Sequence, residues 1–169
     1  MSFTPQYILY RTFENIKRLG LNVRTVYIGG GTPTTLNAQQ LDRLCSKLEE
    51  CFDLSALREY TVEAGRPDTI TEAKLRALYE NGCDRLSVNP QTLNDSVLQN
   101  IGRRHTVDDF YKSFELARKV GFKHINTDLI AGLPFEDIKS FKNSFNKAFA
   151  LKSDMLQLGF LKMLYGAEM

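Results

Sequence analysis

The chain has 169 residues, enough for one domain with a real core. Its 43% apolar and 25% charged residues are those of an ordinary globular protein, and a formal net charge of +2 is too small to point to nucleic acid or a membrane surface. No apolar run approaches the ~20 residues of a membrane helix, and the opening Met-Ser-Phe-Thr-Pro-Gln lacks the basic-then-hydrophobic pattern of a signal peptide.

Residues 5–19 read as a helix ending near Gly20, and residues 24–28 as a buried strand running into Gly29-Gly30-Gly31. Leu41, Leu44, Cys45, Leu48 and Phe52 recur at helical spacing, so residues 38–52 form an amphipathic helix with Asn37 as N-cap. Residues 59–63 are the next strand. Thr71 caps a helix through Asn81, with Ile70 and Leu75 placed as a hydrophobic staple and Gly82 as the stop. Residues 85–89 form a third strand. Thr106 with Asp109 resembles a capping box and opens a helix that stops at Gly121. Residues 123–130 form a fourth strand, ending in Ala131-Gly132-Leu133-Pro134. Asp137–Leu151 is a helix carrying Ile138, Phe141, Phe145 and Phe149 on one face, read as core packing, and residues 154–164 form a last apolar strand. No linker or low-complexity stretch interrupts residues 1–169, so a single domain is expected.

Strands alternating with helices imply an α/β protein with a parallel sheet, either doubly wound or part of a (β/α) barrel. A complete eight-fold barrel takes about 250 residues, so a partial one is expected. The chain opens on a helix, which points to a first strand lying outside it. Cys45, Cys51 and Cys83 match neither a disulfide framework nor a close-spaced zinc or cluster site. They read as small core residues in a reducing, cytoplasmic setting.

In parallel α/β folds the reactive groups gather where strands end. Here the strand ends carry Gly29-Gly30-Gly31-Thr32-Pro33-Thr34, then Glu63 with Ala64-Gly65-Arg66-Pro67, then Asn89-Pro90-Gln91, then Asp128 with Gly132. Three glycines in a row bare the main chain, either for a tight strand-to-helix turn or for a ligand such as an amino acid whose amine would sit on exposed carbonyls. No Gly-Lys-Ser/Thr follows, which argues against a phosphate loop. Glu63 is suited to accept from an amine or a ribose, or to pair with a neighbouring arginine. Arg103 and Arg104, beside His105, form either a carboxylate partner or a solvated basic loop. Asp128, in the apolar run Thr127-Asp128-Leu129-Ile130, must be paired or hydrogen-bonded to be tolerated.

Taken in order, these segments, with Arg85-Leu86-Ser87-Val88-Asn89-Pro90-Gln91 and Ile101-Gly102-Arg103-Arg104-His105-Thr106, resemble the radical S-adenosylmethionine (SAM) superfamily, in its oxygen-independent coproporphyrinogen III oxidase-like branch. The resemblance spans roughly residues 20–150. It implies a partial (β/α)6 barrel with its first strand missing here, a [4Fe–4S] cluster held by a C-x3-C-x2-C motif, and SAM on the open iron. It also implies oxidative decarboxylation of porphyrinogen propionates to vinyl groups. By the same resemblance, Gly30, Gly31 and Thr32 would contact the methionine end of SAM and Glu63 would make a polar contact to it. Gln91, Arg103 and Asp128 would complete the rim, Arg103 facing a carboxylate.

The chain has no C-x3-C-x2-C, so no cluster is expected on it and the chain alone is expected to be catalytically inactive. The run Gln157-Leu158-Gly159-Phe160-Leu161-Lys162-Met163-Leu164 is more similar to radical SAM proteins carrying cobalamin, which weakens the substrate assignment. The expected partner is a small molecule, a porphyrinogen in the family's oxidases, with neither nucleic acid nor membrane. Two other readings stand beside the enzyme: a haem-binding chaperone relative, with His105 and His124 as the only histidines, and a non-catalytic subunit that associates through an open barrel edge.

Overall fold

The computed structural model describes residues 5–161. In chain order it contains α1 (Pro5–Arg18), β1 (Thr25–Ile28), α2 (Ala38–Cys51), β2 (Glu59–Gly65), α3 (Glu72–Glu80), β3 (Arg85–Val88), α4 (Asp95–Asn100), α5 (Val107–Val120), β4 (His124–Ala131), α6 (Ile138–Ala150) and β5 (Met155–Phe160). Short 3-10 turns follow β1 at Pro33–Thr35 and β2 at Pro67–Thr69.

The five strands are all parallel and lie in the order β1-β2-β3-β4-β5. A doubly wound sheet reverses its strand order part-way; this sheet adds each strand on the same side of the last, which is the arrangement of a barrel wall. The wall is open, with β1 and β5 at its two edges among the described residues.

Period-two alternation sorts the strand residues into two faces. Tyr60, Val62 and Ala64 of β2, Leu86 and Val88 of β3, and Ile125 and Leu129 of β4 join Leu41, Leu75, Leu78, Phe110 and Phe114 of the helices in one buried cluster. Each large side chain fully withdrawn from water here contributes roughly 1.5–3 kcal/mol. The opposite face carries Glu59, Thr61 and Glu63, then Arg85 and Ser87, then Asn126 and Asp128. At its lower end Arg85 pairs with Glu59 (3.2 Å) and donates from Nη1 to Asn126 Oδ1 (2.9 Å).

Caps set the helix starts. Asn37 accepts from the Gln40 amide at 2.9 Å while Gln40 Oε1 accepts from the Asn37 amide at 2.9 Å. Thr106 and Asp109 form the same reciprocal pair ahead of α5. Thr71 takes the N-cap position of α3 but its side chain makes no capping hydrogen bond, so α3 is held by its buried Leu75 and Leu78 instead.

Other expectations need correction. α4 escapes periodicity because six residues make fewer than two turns; Asn94 caps it by accepting from Ser96 and Val97. On α6, Phe141 and Phe145 pack against the core with buried Ser144 and Ala148, but Ile138 and Phe149 stand 76% and 69% exposed. Eleven positions make close to three full turns, so all four residues do share one face; its two ends are exposed because, among the described residues, nothing packs over them. β5 ends at Phe160, and residues 162–164 of the expected last strand lie outside the described residues. Cys45, Cys51 and Cys83 are all buried free thiols.

Candidate functional site: the rim at the carboxyl ends of the strands

After β1 the chain passes through Gly30 (φ +84°) and Gly31 (φ +144°), backbone conformations that favour glycine. A Cβ at either position would meet nothing within 4 Å, so the main chain there lies open. Gly29 has a different task. A Cβ on it would lie 2.5 Å from Tyr27 Cε1 and 2.8 Å from Glu63 Oε2, so its bare backbone makes room for those two side chains. The half-buried Thr32 follows, and its carbonyl accepts from the Thr35 amide at 2.9 Å.

Thr34, fully buried, clips this loop to the one after β2. Its hydroxyl donates to the Ala64 carbonyl at 2.8 Å and lies 2.6 Å from Thr69 Oγ1. Lys74 Nζ, from α3, donates to the carbonyls of Thr34 (2.6 Å) and Thr69 (2.9 Å). β2 itself ends in a register slip between Glu63 and Gly65, with Gly65 at φ +56°.

Among the described residues Glu63 forms no ion pair with an arginine; the Tyr27 hydroxyl hydrogen-bonds to it. Burial, and then the charges of Glu63 and Asp128, raise the Tyr27 phenol above its ordinary value. Across the same face, burial and then the Glu63 charge push the Asp128 carboxyl up from 3.8. Asp128 was expected to need a partner, yet among the described residues its carboxylate makes neither hydrogen bond nor ion pair. It tolerates this by facing the open side of the sheet, half-buried.

Gln91 sits at φ +70°, rare for a residue with a Cβ. The strain is held by two backbone bonds to β4: the Gln91 amide donates to the Asp128 carbonyl (3.1 Å) and the Ile130 amide to the Gln91 carbonyl (2.8 Å). Its side-chain Oε1 is buried with no partner. Arg103, half-buried, stands within electrostatic reach of Arg66 and Asp68, and burial followed by the Arg66 charge depresses its guanidinium. Arg104 is exposed. His105 is 2% exposed, its ring against the Pro90 carbonyl with neither nitrogen in a well-formed hydrogen bond; burial first of all holds it below its ordinary value.

The fold thus puts Glu63 and Asp128 on one face of the sheet, two strands apart but within electrostatic reach, ties Gln91 to the Asp128 backbone, and sets Arg103 within electrostatic reach of Arg66 and Asp68. Sequence reasoning missed Tyr27, Thr34, Lys74 and Arg66. Strand parity could have found Tyr27, which shares its face with Thr25 while Val26 and Ile28 pack on the core. A cleft of about 630 Å3, lined by Leu54, Arg58, Tyr60, Asn81 and Asp84 among others, lies at the amino ends of the strands, away from this rim.

The sequence profile described as the Radical SAM superfamily matches residues 4–148. The chain belongs to the radical SAM superfamily. It is 41% identical over 164 residues to the oxygen-independent coproporphyrinogen-III oxidase-like protein HemZ of Bacillus subtilis, covering 96% of this chain and 33% of that one. It is 42% identical over 143 residues to the heme chaperone HemW of Lactococcus lactis, covering 85% and 36%. Among solved structures it matches the radical SAM coproporphyrinogen III oxidase HemN of Escherichia coli with a TM-score of 0.80 and 31% identity, over 94% of this chain and 37% of that one. The chain therefore spans about a third of the length of these relatives. Coverage this wide takes in most of the run 157–164, so that run aligns with a coproporphyrinogen oxidase-like radical SAM protein too.

The rim suits SAM by its own chemistry: open glycine backbone, two carboxylates with a phenol, a buried amide oxygen without a partner, and guanidinium groups. The residues do not suit the radical SAM cluster. Among the described residues no group of three His, Cys, Asp or Glu side chains could hold a metal ion. Cys45 and Cys83 are both engaged with Tyr60, at 3.2 and 3.4 Å, on the helix side of the sheet, opposite the carboxylates. Among the described residues, no helix is long and apolar enough to cross a membrane.

Proposed function

We propose that this chain is the SAM-binding wall of a radical SAM protein of the coproporphyrinogen oxidase-like branch, and that the protein it serves acts on porphyrinogen propionates. The observation that carries the reading is the convergence of Glu63, Asp128 and the unpartnered Gln91 Oε1 on the end of the sheet where Gly30 and Gly31 bare their backbone. Glu63, held by Tyr27, accepts from the amine or the ribose. Gly30, Gly31 and Thr32 seat the methionine end, Arg103 takes the carboxylate, and Gln91 and Asp128 close the rim. In the family, SAM at a [4Fe–4S] cluster supplies a hydrogen-abstracting radical. No ligand set for that cluster lies among the described residues, so no step through it is assigned to this chain.

Calorimetry tests the binding role: SAM should bind the chain, and Glu63→Gln or Asp128→Asn should weaken it about tenfold or more, as loss of a charged hydrogen bond does. Absence of any SAM heat would sink the reading. Anaerobic reconstitution with iron and sulfide should leave the chain unable to form 5′-deoxyadenosine.

The similarity to HemW favours a second reading, in which the protein carries haem without oxidising a porphyrinogen. His105 is too buried to ligate haem iron, and the exposed His124 begins β4 at the far end of the strand. A haem titration insensitive to His105→Ala is expected. The open edges at β1 and β5, with Tyr27 63% and Phe160 82% exposed, support association with a further segment or chain; a clean monomer by light scattering would count against it.

A further inference from the structure

One cation at the rim is left over after the expected SAM contacts are assigned. Arg66 directly follows the β2 bulge, and its Nε is buried with no hydrogen-bond partner. The nearest carboxylate, Asp68 Oδ1, is 3.6 Å from that nitrogen, too far for a hydrogen bond. Arg103 comes to the same place from another part of the chain. Its loop leads straight into α5, and α5 is docked on the turn after Arg66 by Ser113 Oγ, which donates to the Pro67 carbonyl at 3.2 Å. Arg103 is anchored behind by its own amide on the Leu98 carbonyl at 2.9 Å. Asp68 thus pairs with Arg66 and acts on Arg103 only at a distance, so the two guanidiniums repel one another with a single carboxylate between them to offset it, a standing electrostatic cost. That cost vanishes when a second anion enters, and a planar guanidinium with a free Nε is shaped for a carboxylate.

We infer that Arg66 and Arg103 form a two-guanidinium clamp for a ligand carboxylate, with Asp68 as its internal competitor. The inference rests on the SAM reading for Arg103 and adds Arg66 and Asp68 to it. Two ligands of that reading carry the group: the methionine end of SAM and the propionates of a porphyrinogen. The positions favour SAM, because Arg66 is only three residues beyond Glu63 on the same strand end.

The test is calorimetric titration of the full chain with SAM, decarboxylated SAM and the porphyrin tetracarboxylate coproporphyrin III, at low and high salt. Arg66→Gln should weaken SAM about tenfold, Arg66→Lys should restore part of that, and decarboxylated SAM should be indifferent to Arg66. Asp68→Asn should tighten SAM, because it frees both guanidiniums. A merely structural Arg66–Asp68 pair predicts the opposite, with both neutral variants weakening SAM and its decarboxylated analogue alike, and that result would overturn the clamp. Loss of coproporphyrin III binding with SAM unaffected would keep the clamp and reassign its carboxylate to the propionate. Unchanged affinity for both ligands in Arg66→Gln overturns it. A wild-type chain that binds no SAM condemns the SAM reading itself, which separates the two failures; the coproporphyrin III titration then still decides the clamp.

Discussion

Gly29→Ala is the substitution whose cost the structure fixes most closely. Gly29 does not sit at positive φ, so its backbone accepts alanine. The added Cβ, however, would stand 2.5 Å from Tyr27 Cε1 and 2.8 Å from Glu63 Oε2, where ordinary contacts begin near 3.4 Å. The ring must swing away by nearly an ångström, and in doing so it releases Glu63. Tyr27 is largely exposed, so the lost bond is discounted to about 1 kcal/mol, with up to about 1 kcal/mol more for an off-rotamer ring. For a chain of this size, a loss of about 1–2 kcal/mol lowers Tm by roughly 2–8 °C. The assay is a double-mutant cycle in thermal unfolding. With Tyr27→Ala already present, Gly29→Ala should cost less than about 0.5 kcal/mol, a coupling expected only of groups in contact. Gly30→Ala is the control: it meets no atom but sits at φ +84°, so its cost of about 1–2 kcal/mol should be the same with or without Tyr27. Equal costs for Gly29→Ala in both backgrounds would refute the packing argument.

Thr34→Val keeps the shape of a buried side chain but strands the Ala64 carbonyl and the Thr69 hydroxyl, so chemical denaturation should show a loss of about 1–3 kcal/mol. Asp128→Asn should stabilise the chain at neutral pH while weakening SAM. A carboxyl whose folded pKa lies above its unfolded value loses stability as pH rises from 3.8 through the folded pKa, so the gain should fade below that window; a gain that persists at pH 3 would contradict it. The three cysteines should resist an aromatic disulfide reagent in the native chain and all react once it is unfolded, because each is buried and burial raises the Cys45 and Cys83 thiols further. Rapid native labelling of any of them would mean that the sheet–helix core opens.

Much of this protein can be read from residue order alone. Alternation of periods two and 3.6 located five strands and the helices between them except the short α4, because burial of one face imposes those periods on the residues themselves. The N-cap at Asn37, the capping pair at Thr106, the glycine run, Glu63, Gln91 and Asp128 were legible for the same reason: each is a local signal carried by residue type. Element order by itself could not choose between a doubly wound sheet and a barrel wall; the family resemblance implied the partial barrel, and the β1-to-β5 strand order bears it out. It read the ends of α6 as core, because whether a helical face is covered depends on what lies opposite. It overlooked Tyr27 and Arg66, whose importance comes from neighbours far along the chain: Glu63 and Asp128 beside Tyr27, Arg103 beside Arg66. A residue's type and spacing are written locally, but which charges share a rim is a property of chain crossings, and those exist only once the sheet is assembled.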